Sequence, residues 1–277
     1  MIIAIASGKG GTGKTLVAAS LALSIGNNVQ LLDCDVEEPN AAIFIKPEIK
    51  KTVNASVLVP VVDKNLCDYC GKCAEICEYH AIVVVKNTIL IFPELCHSCG
   101  ACSLLCPRQA ITEEKREIGR IETGERGDIQ FVQGCLNVGE AMSPPLIKQV
   151  KALIDPGRIV IIDSPPGTSC PVIAAIKGCD FCLLVTEPTP FGLNDLVLAV
   201  ETVRKLGIPF GVIINRSDLG DNKTEEYCAV ENIPILMRIP FKKEIAQAYS
   251  KGLALIERLP EYKRKFKDLF NEANSRY

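Results

Sequence analysis

Apolar residues in this chain fall in short, dense runs separated by polar segments or by segments of helical period. "IIAIA", "NVQLLD", "RIVIID", "DFCLLVTE" and "PFGVIIN" are apolar at consecutive rather than alternate positions, as strands buried on both faces of a parallel sheet are. "TLVAASLALSI", between the first two, is long enough for a crossover helix. The pattern predicts an α/β fold with a doubly wound, mostly parallel sheet.

The pattern breaks between about 58 and 112. There "LCDYCGKCAEICEYHAI" returns as "LCHSCGACSLLCPRQAI", each residue 29 positions on. An internal repeat without long apolar runs predicts a second, small module, residues 58–112, inserted into a larger domain made of 1–57 and 113–277. "EEKREIGRIETGERGDIQFVQG" is charged and alternating, and predicts solvent-facing strands leading back into the sheet. Near the end, Leu259, Tyr262, Phe266, Leu269 and Phe270 recur at helical spacing with lysines opposite, which predicts a helix covering one edge of the sheet.

Charge changes this picture little: 31 Lys and Arg stand against 33 Asp and Glu, leaving no basic footprint for nucleic acid or an anionic membrane. No apolar run reaches the roughly 18 residues of a membrane span, and the first residues lack the basic and small-residue signals of a leader. A soluble, cytoplasmic protein without nucleic acid or stable membrane association is expected. In such a chain 14 cysteines point to metal ligands and buried thiols rather than disulfides.

"SGKGGTGKT" follows the first strand and opens the first helix, the context a phosphate loop requires. Gly8, Gly10, Gly11 and Gly13, with Thr12, let backbone N–H groups close on phosphates at a helix N-terminus. Lys14 reaches the β- and γ-phosphate oxygens and the Thr15 hydroxyl ligates Mg²⁺. Lys9 is one lysine more than this task needs.

The form K-G-G-T-G-K-T resembles the deviant Walker A loop of the MinD, ParA, Mrp and nitrogenase iron protein superfamily. The resemblance implies a homodimer in which Lys9 reaches the partner's nucleotide, doing in trans what an arginine finger does. "LLDCDVEEPN", with Asp33 and Asp35, resembles the family's first switch, which implies that Asp35 positions or activates the attacking water. "IVIIDSPPG" resembles the second switch, with Asp163 on the Mg²⁺ side and Gly167 following the γ-phosphate. "INRSD" resembles the base-recognition stretch, through Asn215 and Asp218, and a guanine reader would usually carry N-K-x-D there, which favours ATP over GTP.

Cys67, Cys70, Cys73 and Cys77 spell C-x2-C-x2-C-x3-C, and Cys96, Cys99, Cys102 and Cys106 repeat it, with Pro107 following. Thiolates so spaced wrap 4Fe-4S clusters, the fourth cysteine of each run serving the other cluster. One cluster is therefore expected on Cys67, Cys70, Cys73 and Cys106, and another on Cys96, Cys99, Cys102 and Cys77. Zinc is the competing reading, which a two-fold repeat of eight cysteines disfavours. Both histidines, His80 and His97, fall inside the repeat and receive no role. With this module, the chain resembles the MinD superfamily ATPases that contain an inserted ferredoxin domain.

Six cysteines remain, of which Cys34, Cys179, Cys182 and Cys228 read as core thiols. Cys170 lies seven residues beyond Asp163 and Cys135 stands upstream of it, a placement similar to the two cysteines per subunit that hold an interfacial cluster in nitrogenase iron protein. Two readings stay open for this pair: ligands of a third, interfacial cluster, or buried and free thiols. The leading expectation is ATP-gated electron transfer through two 4Fe-4S clusters to a redox partner protein. An Mrp-type iron-sulfur cluster carrier is the alternative, although the stretch after "GVIIN", where that group carries C-x-x-C, offers only Cys228. A MinD- or ParA-like positioning ATPase is the third reading, and it leaves the clusters idle.

Overall fold

The computed structural model describes residues 1–276. Its strands are β1 (Ile2–Ala6), β2 (Val29–Asp33), β3 (Glu48–Val62), β4 (Ile82–Val85), β5 (Thr88–Ile91), β6 (Ile111–Arg126), β7 (Ile129–Leu136), β8 (Ile159–Asp163), β9 (Phe181–Thr186), β10 (Phe210–Asn215) and β11 (Ile235–Ile239). The α-helices are α1 (Lys14–Ile25), α2 (Ala41–Ile45), α3 (Lys72–Glu75), α4 (Ala101–Leu104), α5 (Pro144–Lys151), α6 (Cys170–Ile176), α7 (Pro190–Lys205), α8 (Lys223–Val230), α9 (Lys243–Ser250), α10 (Leu255–Arg258) and α11 (Tyr262–Arg276).

Nine strands form one sheet in the order β11-β10-β9-β1-β8-β2-β7-β6-β3. From β11 to β7 every neighbouring pair is parallel, while β6 and β3 are antiparallel additions at one edge. Alternate residues of the central strands face two different cores. Ala4, Leu32, Ile162, Leu184 and Ile214 meet α5, α6 and α7 on one face, and Ile3, Ile5, Leu31, Ile161 and Leu183 meet α1 and α11 on the other. Both faces are covered, so the parallel strands needed no polar alternation.

Among the described residues, no helix is long and apolar enough to cross a membrane. On α11, Tyr262, Phe266, Leu269 and Ala273 are buried in the α1 core, so the terminal helix covers the sheet as its spacing predicted. Phe266 and Leu269, removed from water, each contribute about 1.5–3 kcal/mol.

The edge ribbon differs from the expected layout, because β3 and β6 run unbroken through positions 58 and 112. β6 pairs with β7 only from Arg126–Ile129 to Gly119–Leu136, and a bulge opposite Ala55 and Ser56 marks where it leaves the sheet. Residues 111–118, paired with the end of β3, continue past the carboxyl end of β7. Residues 63–110 are thus held at the carboxyl edge of the sheet, the edge from which the β1–α1 loop also rises. Here α3, α4 and the β4–β5 hairpin, closed by Ile111 at the start of β6, enclose a core of Cys73, Ile82, Cys102 and Ile111.

Candidate functional site

The loop after β1 occupies the centre of the sheet, flanked by β8 and β9, where an open α/β sheet leaves a crevice for ligands. Gly13 turns the chain into α1 at φ 94°, a left-handed conformation that costs a glycine little. A Cβ there would stand 2.6 Å from Asn215 Nδ2, and that amide donates to Thr12 O at 2.8 Å. Asn215 therefore braces the phosphate loop from the end of β10.

Lys14 is 6% exposed. Burial lowers its pKa against the pull of Asp163, Asp35 and Asp33, so three carboxyl groups gather around one buried cation. They do different work. Asp33 accepts from Asp35 N at 3.1 Å through Oδ1, and from Asn40 N and Ala41 N at 3.0 and 2.9 Å through Oδ2, so it holds the loop that carries Asp35. Burial, aided by Asp163, pushes the Asp33 carboxyl well above the usual carboxylate range. Burial also pushes Asp35 up to about 6, opposed by Lys14. A base near that value accepts a proton close to neutral pH.

Asp163 is fully buried, and neither carboxylate oxygen has a hydrogen-bond partner among the described residues. Burial pushes it up to about 7, against the Thr15 hydroxyl and Lys14. Orphaned carboxylate oxygens beside a hydroxyl are the donors a hard divalent cation takes, so the residues present fit Mg²⁺. Gly167 N donates to Ser7 O at 3.0 Å, tying the segment after β8 to the start of the phosphate loop.

A cleft of about 540 Å³ opens beside these groups. Gly10, Gly11, Gly13, Lys14, Thr15 and Asp35 bound one side, and Asn215, Arg216, Phe241 and Tyr249 the other. Its size suits a nucleotide. Gly8, Thr12, Asp163 and Gly167 stand behind this lining rather than in it. Asp218, expected at the base, instead accepts from Phe241 N at 2.5 Å and shapes the loop after β11. Arg216, Phe241 and Tyr249 are lining residues that the motifs did not single out. Arg216 lay within "INRSD", whereas the aromatic pair comes from the β11–α9 segment, which carries no motif.

Lys9 does not enter its own cleft. Its Nζ lies 3.9 Å from Glu187 Oε2, while Arg216 Nη1 lies 3.0 Å from Glu187 Oε1. Glu187, at the end of β9, is 7% exposed.

The eight module cysteines gather in two groups. Cys67, Cys70, Cys73 and Cys106 line one small cavity, and Cys77, Cys96, Cys99 and Cys102 line another. The backbone repeats with the sequence. Tyr69 and Ser98, Gly71 and Gly100, and His80 and Gln109 all take positive φ, each pair 29 positions apart. Tyr69 N and Ser98 N donate to Cys67 and Cys96 Sγ at 3.4 Å, and Ala81 N and Ala110 N donate to Cys77 and Cys106 Sγ at 3.3 Å. No three His, Cys, Asp or Glu side chains among the described residues converge as they would on one metal ion. Four thiols spread around a shared cavity instead suit a cluster several atoms across, so the chemistry of the donor set fits 4Fe-4S.

Cys170 is exposed at the start of α6, whereas Cys135 is buried in β7. The structure thus places one of the two on the surface and the other inside. Cys179, just before β9, and Cys182, within it, share one core, as core thiols should. Cys34 and Cys228 are buried as expected.

Residues 3–256 match the family model described as the CobQ/CobB/MinD/ParA nucleotide binding domain. A protein of Methanocaldococcus jannaschii is 34% identical over 98% of this chain and 96% of its own length. An iron-sulfur cluster carrier protein of Rickettsia bellii is 28% identical over 93% of this chain and 67% of its own. Among solved structures, the septum site-determining protein MinD of Pyrococcus horikoshii, complexed with Mg-ADP, superposes with a TM-score of 0.60 at 21% identity, covering 98% of this chain and 94% of that one. Phosphate loop, sheet order and family match agree: the chain belongs to the CobQ/CobB/MinD/ParA nucleotide-binding domain family.

Proposed function

We propose that this P-loop ATPase of the MinD/ParA type gates electron transfer through two 4Fe-4S clusters, acting as a homodimer on a redox partner protein. The observation that carries the reading is the crossover grouping of the cysteines, in which each set of three is completed by the fourth cysteine of the other run. When bound, such clusters supply one-electron carriage. The module hangs from the carboxyl edge of the sheet, the edge at which open α/β folds bind their ligands.

The roles of the residues follow from their placement. Backbone N–H groups of residues 10–15 and the Lys14 ammonium bind the phosphates, and Thr15 with Asp163 would hold Mg²⁺. Asp35 orients the attacking water and accepts its proton as the water oxygen bonds to the γ-phosphorus and ADP leaves. Lys9, exchanging Glu187 for the partner's nucleotide, adds the cation that completes the site only when two copies close. Closure is favoured to the extent that nucleotide binds the closed state more tightly than the open one.

Iron and sulfide analysis of anaerobically purified protein tests this reading. About eight irons per chain are expected from the two clusters, and about ten would add a share of an interfacial cluster at Cys135 and Cys170. Iron below about two per chain after anaerobic reconstitution would overturn it. The likeness to a protein named an iron-sulfur cluster carrier favours a second reading, in which ATP controls cluster release. Cys228, the one cysteine after β10, is buried, and Cys135 is buried as well, so a transferable cluster has few exposed thiols outside the module. Loss of iron from the protein during ATP turnover would favour the carrier reading; retention favours electron transfer.

A further inference from the structure

The two cysteine cavities are built alike but connected differently. Outside residues 63–110, the cavity of Cys67, Cys70, Cys73 and Cys106 touches only Ile111, and an exposed Asp68–Arg108 ion pair of 2.8 Å flanks it. The cavity of Cys77, Cys96, Cys99 and Cys102 reaches Pro60 and Glu113 on the β3–β6 ribbon, and its Cys96 packs against the main core of the sheet. Where the first cavity carries Asp68 and Arg108, the second carries His97 and Tyr79 at the repeat-related positions, with rings stacked 3.5 Å apart. The first is an outer site and the second an inner one.

From the inner site a run of contacts leads to the nucleotide cleft. Arg116 on β6 forms a two-pronged ion pair with Glu140, in the loop after β7, at 2.5 and 3.0 Å, and the Glu140 side chain is 5% exposed. That hydrogen bond is the first reason the guanidinium is held above its ordinary pKa; burial opposes it, and the charges of Glu140, Glu94 and Cys96 add to it. Arg116 Nε is buried without a hydrogen-bond partner among the described residues. Next along the run, Asn137 N donates to Ile118 O at 2.9 Å and Leu136 N donates to Val36 O at 2.8 Å. Val36 follows Asp35 directly and presses on Gly134, where a Cβ would stand 2.6 Å from Val36 Cγ1. Asp35 lines the cleft with Lys14. Among the described residues, the lining of the outer site makes an ion pair within the module, Asp68–Arg108, and none with the sheet.

We infer that Arg116 and Glu140 are positioning residues that tie the loop carrying Asp35 to the inner cysteine site alone, so that nucleotide alters the electron affinity of a cluster there and leaves the outer one unchanged. The inference rests on the two-cluster reading above. A cluster held by the inner cysteines would take up one electron from a one-electron donor protein, with no bond made or broken. Arg116 stands three residues beyond Glu113, which lines the inner cavity, and pairs with Val57 of the core that Cys96 packs against, so its guanidinium is placed to favour that added negative charge. Movement of the Asp35 loop, transmitted through Leu136 and Glu140, shifts the guanidinium and changes how strongly it does so. The charge acting is permanent, so no titration is involved.

EPR-monitored redox titration of the intact holoprotein decides the matter, run without nucleotide, with Mg-ADP, and with Mg²⁺ and a non-hydrolysable ATP analogue. In the parent, nucleotide should change the reduction equilibrium of one cluster tenfold or more, about 59 mV for a one-electron couple, and leave the other in place. Glu140→Gln should abolish that response. Arg116→Lys keeps a cation but loses the fork, so it should retain a near-parental potential without nucleotide yet lose most of the response. Arg108→Gln should lower the potential of the other cluster only. Both potentials moving together in the parent, neither moving, an undiminished response in Glu140→Gln, or Arg108→Gln acting on the responsive cluster would each overturn the inference. Should a variant fail to fold, the parental response still decides. Iron and sulfide content separates the two levels: without clusters the functional reading falls and this inference with it, whereas two reducible clusters lacking a one-sided response sink the inference alone.

Discussion

Replacing Lys9 with alanine removes a side chain that does little in the single subunit and, on the dimer reading, a great deal across two. In the subunit its ammonium lies 3.9 Å from Glu187 and its side chain is 31% exposed. An ion pair so long and so wet contributes about 0–1 kcal/mol. Arg216 stays 3.0 Å from Glu187 in the variant, so no buried carboxylate loses its only partner. Folding stability should therefore fall by no more than about 1 kcal/mol. Nucleotide affinity should stay within about threefold of the parent, because Lys14 and the loop amides are untouched. Hydrolysis is where the loss belongs: a cation supplied in trans is worth on the order of 10³ in rate, or about 4 kcal/mol in the barrier. Thermal unfolding, calorimetric titration with ATP, and initial rates across a range of protein concentration separate the three quantities. The parent's specific activity should rise with concentration and the variant's should stay flat. Mixing Lys9→Ala with Asp35→Ala should restore activity, since one site of the hybrid then has Asp35 in cis and Lys9 in trans. A variant that hydrolyses ATP at near the parental rate, independent of concentration, would refute the reasoning and cut the link between ATP and closure.

Three further outcomes are expected. Lys14→Ala should leave no nucleotide binding detectable by calorimetry, because its buried ammonium, drawn on by Asp33, Asp35 and Asp163, is the phosphate-loop cation that lines the cleft; parental affinity would disprove that role. Asp163, raised to about 7 by burial, keeps a proton in the folded protein that the unfolded chain has released. Stability of the nucleotide-free protein should therefore fall as pH rises from about 4 through 7, with Asp35, raised to about 6, adding in the same direction. Asp163→Asn should flatten that fall and raise the melting temperature at pH 8 while losing Mg²⁺-dependent nucleotide binding; an unchanged pH slope would count against it. Iron removal should expose residues 63–110 to hydrogen exchange and leave the sheet protected, because the module's own core is four residues, two of them cysteines. Simultaneous loss of protection in both parts would contradict separable units.

Local patterns were legible from the sequence wherever neighbours in the chain are also neighbours in space. The loop of residues 7–15 follows a buried strand and opens a helix, and the structure turns it with Gly13 as its motif requires. The grouping of cysteines needed only a repeat, because two halves of the same spacing fold as like pieces and exchange their fourth residue. Apolar runs identified β1, β2, β8, β9 and β10, since a strand covered on both faces has no freedom to alternate. What escaped was decided by pairing over long separations. Residues 48–57, charged and exposed for most of their length, are a strand only because β6 lies beside them. Asn215 and Asp218 match a base-reading pattern, and the tertiary structure gives them a second task the pattern does not show, bracing Thr12 and Phe241. The register of β6 on β7 projects the cysteine module past the carboxyl edge, on the side of the nucleotide loop, and one residue's spacing along a strand carries no hint of that direction. Lys9 likewise meets Glu187 across 178 positions, a contact made by the order of strands in the sheet and by nothing in either residue's neighbourhood.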